Sequence, residues 1–229
     1  MAATPDPSHR PSPKSPSRLH AGVRKVLSWF FTRTGPAVAT SSSPPLQPGS
    51  LDEIDPNPGP FERFDGCRLV EDRGNDGDSF HVGLPGGRIE QFRLYYVDCP
   101  ETAFRTYPNG ETNHERIAHQ ARYFLITPEQ AVEAGRAGEE HALQALRRPF
   151  TLFTRWDDPY GDSRYHALVQ LSDGHWLHAG LVASGLARIY TKPADLPDGT
   201  TVAEHLRFLV KLENGARAAH RGAWRYEKR

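Results

Sequence analysis

Four short segments hold the residues whose types and spacing could do chemistry: Asp76-Gly77-Asp78-Ser79, Phe92-Arg93-Leu94, Val97-Asp98-Cys99-Pro100-Glu101-Thr102 and Tyr160-Gly161-Asp162-Ser163-Arg164. Two carboxylates that converge repel each other unless a cation lies between them. Asp78 and Asp98 are placed to do this if the strands that carry them are neighbours. Hard oxygen donors suit Ca²⁺ or Mg²⁺, and a site completed by waters and a backbone carbonyl favours the larger, more tolerant Ca²⁺. Pro100 stiffens the chain after Cys99 and holds Glu101 at a set distance from Asp98. Glu101 is then placed to take a proton from an attacking water, while Arg93 and Arg164 approach a phosphate whose charge grows in the transition state. That division of labour suits in-line hydrolysis of a phosphodiester. Asp76 reads as structural, bonding its own turn backbone, and Gly77 reads as permitting that turn.

The elements that must position these residues follow from the pattern. β-type runs are predicted at Cys67 to Glu71, Ser79 to Leu84 and Arg88 to Val97, the last two joined as a hairpin by Gly83-Leu84-Pro85-Gly86-Gly87. In the third run Phe92, Leu94 and Tyr96 would share one face, and Arg93, Tyr95 and Val97 the other. The spacing predicts helices at His114 to Leu125 and at Pro128 to Leu146, the second with Thr127 as N-cap. Two more strands are expected at Phe150 to Arg155 and Tyr165 to Leu171, then a short helix at His178 to Ser184 ending at Gly185, and a last helix at about Thr201 to Ala219. About five strands in a meander with added helices is the outline of an OB-like barrel. By itself that outline does not establish function.

Composition sets the bounds. The chain has 229 residues, 37% of them apolar, with 28 basic and 28 acidic residues. That is enough for one globular domain and a tail. Residues 1–50 hold six basic residues and one acidic, whereas 61–229 hold 22 basic and 24 acidic. The folded part is therefore no polycation, and a phosphate grip must be local. No apolar run approaches the roughly 18 residues needed to cross a bilayer. Two cysteines, Cys67 and Cys99, are too few for a disulfide scaffold; Cys67 reads as a small buried hydrophobe, with a single Cys67 to Cys99 bridge the minority alternative. The eleven histidines show no metal-ligand spacing, and Trp156, Trp176 and Trp224 read as core.

Residues 1–60 are rich in Pro and Ser and read as a disordered tail. Within it Leu19, Val23, Val26, Leu27, Phe30 and Phe31 recur at helical spacing beside Arg24, Lys25 and Arg33. Three readings of 19–33 stand: a transient amphipathic helix, an anchor to a membrane surface or protein partner, and a signal peptide with a short apolar core.

The ordered set Asp-Gly-Asp-Ser, Phe-Arg-Leu and Val-Asp-x-Pro-Glu-Thr, followed by Tyr160-Gly161 with Arg164-Tyr165-His166-Ala167, resembles the staphylococcal nuclease (thermonuclease) family. Gly180 to Ala187 and the closing Glu213, Ala216, Gly222 and Trp224 extend the resemblance over roughly 160 residues. It implies an OB-fold with three helices. It also implies Asp78, Asp98 and the backbone carbonyl of Cys99 as calcium ligands, Glu101 as the acid/base group, and Arg93 and Arg164 as phosphate-binding residues. Tyr160 and Tyr190 would touch a base or a terminal phosphate. The implied activity is Ca²⁺-dependent hydrolysis of DNA or RNA by a monomer, leaving 3′-phosphates, and an exported or cell-envelope location. The alternative is a nuclease-like module that binds nucleic acid or protein without cutting. Three departures accompany the resemblance: Cys99 in place of the usual Thr, with the redox liability of a thiol, Asp162-Ser163 inserted before Arg164, and a helical insertion of unassigned role from Pro128 to Arg148.

Overall fold

The structure is a computed structural model that describes residues 60–227. The tail and the 19–33 segment lie outside the described residues. Among the described residues the fold is mixed α+β, with four α-helices and a five-stranded sheet. The strands of the sheet are β1 (Glu62–Leu69), β2 (Ser79–Gly83), β3 (Ile89–Leu94), β5 (Phe150–Thr154) and β6 (Arg164–Gln170). They pair in the order β1-β2-β3-β6-β5, and β5 pairs back onto β1, so the sheet closes on itself. On the inner face lie the fully buried side chains of Phe80, Phe92, Leu94, Leu152 and Val169.

The connectivity is not the expected meander. The β3 and β6 strands run parallel, with Arg93 opposite His166 and Gln91 opposite Arg164. A parallel pair cannot be joined by a hairpin and needs a long crossover, which here contains two helices and β5. The first strand also starts earlier than expected, at Glu62, because its first half pairs β5 across a bulge between Phe64 and Cys67, where Gly66 takes a φ of 76°.

The largest departure concerns the run from Arg88 to Val97. The strand stops at Leu94, and Tyr96 turns the chain with a φ of 74°. Val97–Asp98 forms a separate short strand, β4, paired antiparallel with β7 (Arg188–Ile189), Asp98 lying opposite Arg188. The expected alternation of faces therefore ends at Leu94, and Tyr95, Tyr96 and Val97 are all buried. Tyr95 donates from its backbone N–H to Ala167 and Tyr96 to Lys192, so the bend exchanges strand pairing for other partners.

The helices are α1 (His114–Phe124), α2 (Pro128–Ala145), α3 (Leu177–Ala183) and α4 (Val202–Ala218). Thr127 and Gln130 form a capping box at α2, as Thr201 and Glu204 do at α4. A 3₁₀ turn at Gly222–Tyr226 closes the described chain. The α2 helix is no peripheral insertion, because its small residues let it back directly onto the Pro100–Glu101 backbone. A Cβ at Gly135 would lie 2.4 Å from both the Pro100 and the Glu101 carbonyl oxygens.

Candidate active site

The Asp76 to Ser79 turn delivers Asp78 to the sheet end. Asp76 Oδ1 accepts from the backbone N–H of Asp78 at 3.0 Å and of Ser79 at 2.7 Å, the structural role expected of it. Burial, with Asp78 beside it, pushes the Asp76 carboxyl up to about 7. Gly77 is needed for close approach rather than for turn geometry: a Cβ there would meet Cys99 Sγ at 2.7 Å and the Gly138 backbone at 3.1 Å.

Asp78 is buried. Its Oδ1 accepts from the Ser79 hydroxyl at 3.0 Å and its Oδ2 from the Cys99 N–H at 2.5 Å. Burial raises its pKa, against the pull of Arg93, and Asp98 adds to the rise. Asp98 goes the other way: burial would raise it, but Arg188 and Arg116 outweigh that and hold it below the usual carboxylate range. Its Oδ2 accepts from Arg188 Nε at 2.8 Å and Gln120 Nε2 at 2.9 Å, and its Oδ1 from Arg116 Nη2 at 2.9 Å.

Arg93 stands between the two carboxylates without bonding either. Its Nε is 3.6 Å from Asp78 Oδ1 and its Nη2 is 4.0 Å from Asp98 Oδ1, both beyond hydrogen-bond distance. The residue is only 6% exposed, and its Nε has no hydrogen-bond partner among the described residues.

Glu101 lies at the solvent side of this cluster. Its Oε1 pairs with Arg116 Nε at 3.1 Å, its Oε2 accepts from Asn113 Nδ2 at 3.1 Å, and its N–H donates to Gln120 Oε1 at 3.0 Å. Gln120 Nε2 also donates to the Cys99 carbonyl at 3.0 Å. The structure thus brings Asp78, Arg93, Asp98, Cys99 and Glu101 together.

Arg164 is the residue it joins least closely. The β3–β6 register puts Arg164 on the same sheet face as Arg93, two residues along. Its guanidinium, however, is held by the carboxylate of the inserted Asp162, with Nε at 2.8 Å. Tyr160 is exposed on that flank. Tyr190, also exposed, lies under the Arg188 guanidinium, 3.7 Å from ring centre to Cζ, and edge-on to His119. Both cysteines are free and buried, so they do not form the minority bridge. Burial pushes the Cys67 thiol up to about 11 and raises that of Cys99 well above its ordinary value, which disfavours the reactive thiolate at both.

Sequence reasoning missed Asn113 at the N-cap of α1, Arg116 and Gln120 within that helix, and Arg188 on β7. The helix signal was present: Asn113, Arg116 and Gln120 recur at i, i+3 and i+7, a polar stripe beside the buried Ile117, Ala121 and Phe124. A glutamine on the buried side of an amphipathic helix needs partners for its amide. Arg188 had no such local signal. Among the described residues no three His, Cys, Asp or Glu side chains converge as a metal-holding group. Comparison with known families finds no family model that matches the chain, and no curated protein matches it.

Proposed function

We propose that this chain is a calcium-dependent phosphodiesterase of the staphylococcal nuclease type, built on an OB-fold barrel, that hydrolyses DNA or RNA and leaves 3′-phosphate ends. One observation carries the reading. The guanidinium of Arg93 is buried between Asp78 and Asp98, and its Nε has no hydrogen-bond partner among the described residues. A buried N–H donor without an acceptor costs about 1–3 kcal/mol, and an anionic oxygen that reached it would remove that cost.

The donor set fits a hard dication. The Oδ1 atoms of Asp78 and Asp98 face the same edge of Arg93 across gaps that hydrogen bonds do not close, and burial, with Asp98 nearby, raises the Asp78 pKa, a cost that a bound cation would offset. Asp78, Asp98 and the Cys99 carbonyl, whose second lone pair is free beside Gln120, would hold calcium. Bound there, calcium would supply positive charge to the phosphate and to a water beside it.

The chain's own groups would do the rest. Glu101 keeps a free lone pair on each oxygen beyond its bonds to Arg116 and Asn113, and takes the proton of the attacking water. The new bond forms from water oxygen to phosphorus, the bond from phosphorus to the 5′-oxygen breaks, and that oxygen departs as a hydroxyl by taking a proton from solvent water, to which Glu101 returns its own. Arg93 donates to the phosphoryl oxygens as their charge grows, with Arg164 on the same face able to join it.

A second reading, a module that binds nucleic acid without cutting, is favoured by one observation: Asp162 occupies the guanidinium of Arg164. The deciding experiment is release of acid-soluble fragments from single-stranded DNA, with Ca²⁺ and with chelator, alongside Glu101→Ser. We expect calcium-dependent release that falls by about 10²-fold or more in the variant. A folded, inactive protein that still retains the oligonucleotide would establish the binding module instead.

A further inference from the structure

Three guanidiniums stand against the acidic cluster, and they differ in freedom. The side chains of Arg93 and Arg188 are 7% and 3% exposed, whereas that of Arg116 is 40% exposed. Arg93 and Arg188 are carried on strands, while Arg116 reaches in from the first turn of α1 and has a route back to solvent. It bridges two carboxylates, Asp98 Oδ1 through Nη2 at 2.9 Å and Glu101 Oε1 through Nε at 3.1 Å. Asp98 Oδ1 is also the oxygen on the Arg93 edge that Asp78 Oδ1 approaches, 4.0 Å from Nη2 where Asp78 Oδ1 is 3.6 Å from Nε, and so the one that a cation between the two carboxylates would need. A guanidinium and a dication within bonding distance of one oxygen repel each other strongly in a buried setting.

We propose that Arg116 is a built-in competitor of calcium. It ties Asp98 to Glu101 in the metal-free protein and swings toward solvent when Ca²⁺ takes Asp98. The inference rests on the calcium-dependent reading above and adds to it a residue that sets the calcium threshold. Asp76, Asp78, Asp98 and Glu101 are faced by Arg93, Arg116 and Arg188. Removing Arg116 therefore leaves the cluster one positive charge poorer and more receptive to a cation. Arg93 and Arg188, without solvent access, remain as fixed charges in either state.

The test is calorimetric titration of the full chain with calcium chloride alone, comparing wild type, Arg116→Gln and Arg116→Lys. We expect Arg116→Gln to bind Ca²⁺ at least tenfold more tightly than wild type. Arg116→Lys, which keeps the charge but cannot bridge both carboxylates, should fall between them. Circular dichroism and the thermal midpoint establish that each variant is folded. An affinity in Arg116→Gln that is unchanged or weaker overturns the proposal. If no form binds calcium at millimolar concentration, the calcium reading falls and takes this inference with it. Tighter binding in a protein that cuts no nucleic acid would uphold the competitor role and remove only the hydrolytic reading.

Discussion

The side-chain amide of Gln120 lies 2.9 Å from Asp98 Oδ2, and the same nitrogen lies 3.0 Å from the carbonyl oxygen of Cys99, while its oxygen accepts from the Glu101 N–H. One fully buried helix residue thereby ties together a carboxylate, a carbonyl and the backbone of the candidate base. We predict that Gln120→Leu, similar in volume but unable to bond, destabilises the protein by about 2–3 kcal/mol, because it strands several buried polar groups at once. Urea unfolding checks this, and a change below about 0.5 kcal/mol would show that those groups find other partners.

Gly135 and Gly215 sit in helices α2 and α4 and should respond oppositely to the same substitution. At Gly135 a Cβ would fall 2.4 Å from two backbone oxygens of Pro100 and Glu101, which cannot move aside as a flexible side chain would. At Gly215 nothing lies within 4 Å. Gly135→Ala should therefore cost roughly 2 kcal/mol or more through overpacking, and Gly215→Ala should stabilise by up to about 1 kcal/mol through helix propensity. Thermal midpoints moving in the same direction for both would contradict the packing of α2 on the Pro100–Glu101 segment.

His166 lies opposite Arg93 in the sheet with both ring nitrogens buried and unpartnered. Burial first, and then the charge of Arg93, push its pKa down to about 4. The folded state therefore keeps the ring neutral between about 6.5 and about 4, where the unfolded chain binds a proton. Unfolding takes up that proton, so stability falls as pH drops through this window, by at most about 3 kcal/mol from this residue. The buried pair His178 and His205, also lowered, acts in the same direction. Asp76, raised to about 7, acts in the opposite one, so the His166 contribution is read as a difference. Urea unfolding from pH 7.5 to 4.5 should show a shallower acid loss in His166→Leu than in wild type; parallel curves would mean that the folded protein lets His166 protonate.

Much of the element list was legible in the residues themselves. The N-cap Thr127 before Pro128, the helical spacing of α1 and α4, and the glycine-rich turn between β2 and β3 are local signals, and helices and hairpins follow local rules. The break after Leu94 was not legible, since Tyr95, Tyr96 and Val97 all suit a strand. What stops them is Asp98 pairing with Arg188, a partner 90 residues away.

The same division holds at the candidate site. From the sequence alone came the residue types, two aspartates, a glutamate and arginines at spacings that suit phosphate chemistry, because covalent order dictates which groups can share a turn or a strand end. Only the tertiary structure decided how those charges are balanced. It set Arg116 and Gln120 of α1 and Arg188 of β7 against Asp98, left Arg93 Nε without an acceptor, and gave Arg164 to Asp162. Charge pairing depends on distance and burial through space, and a linear chain does not carry either until its helices and strands have packed.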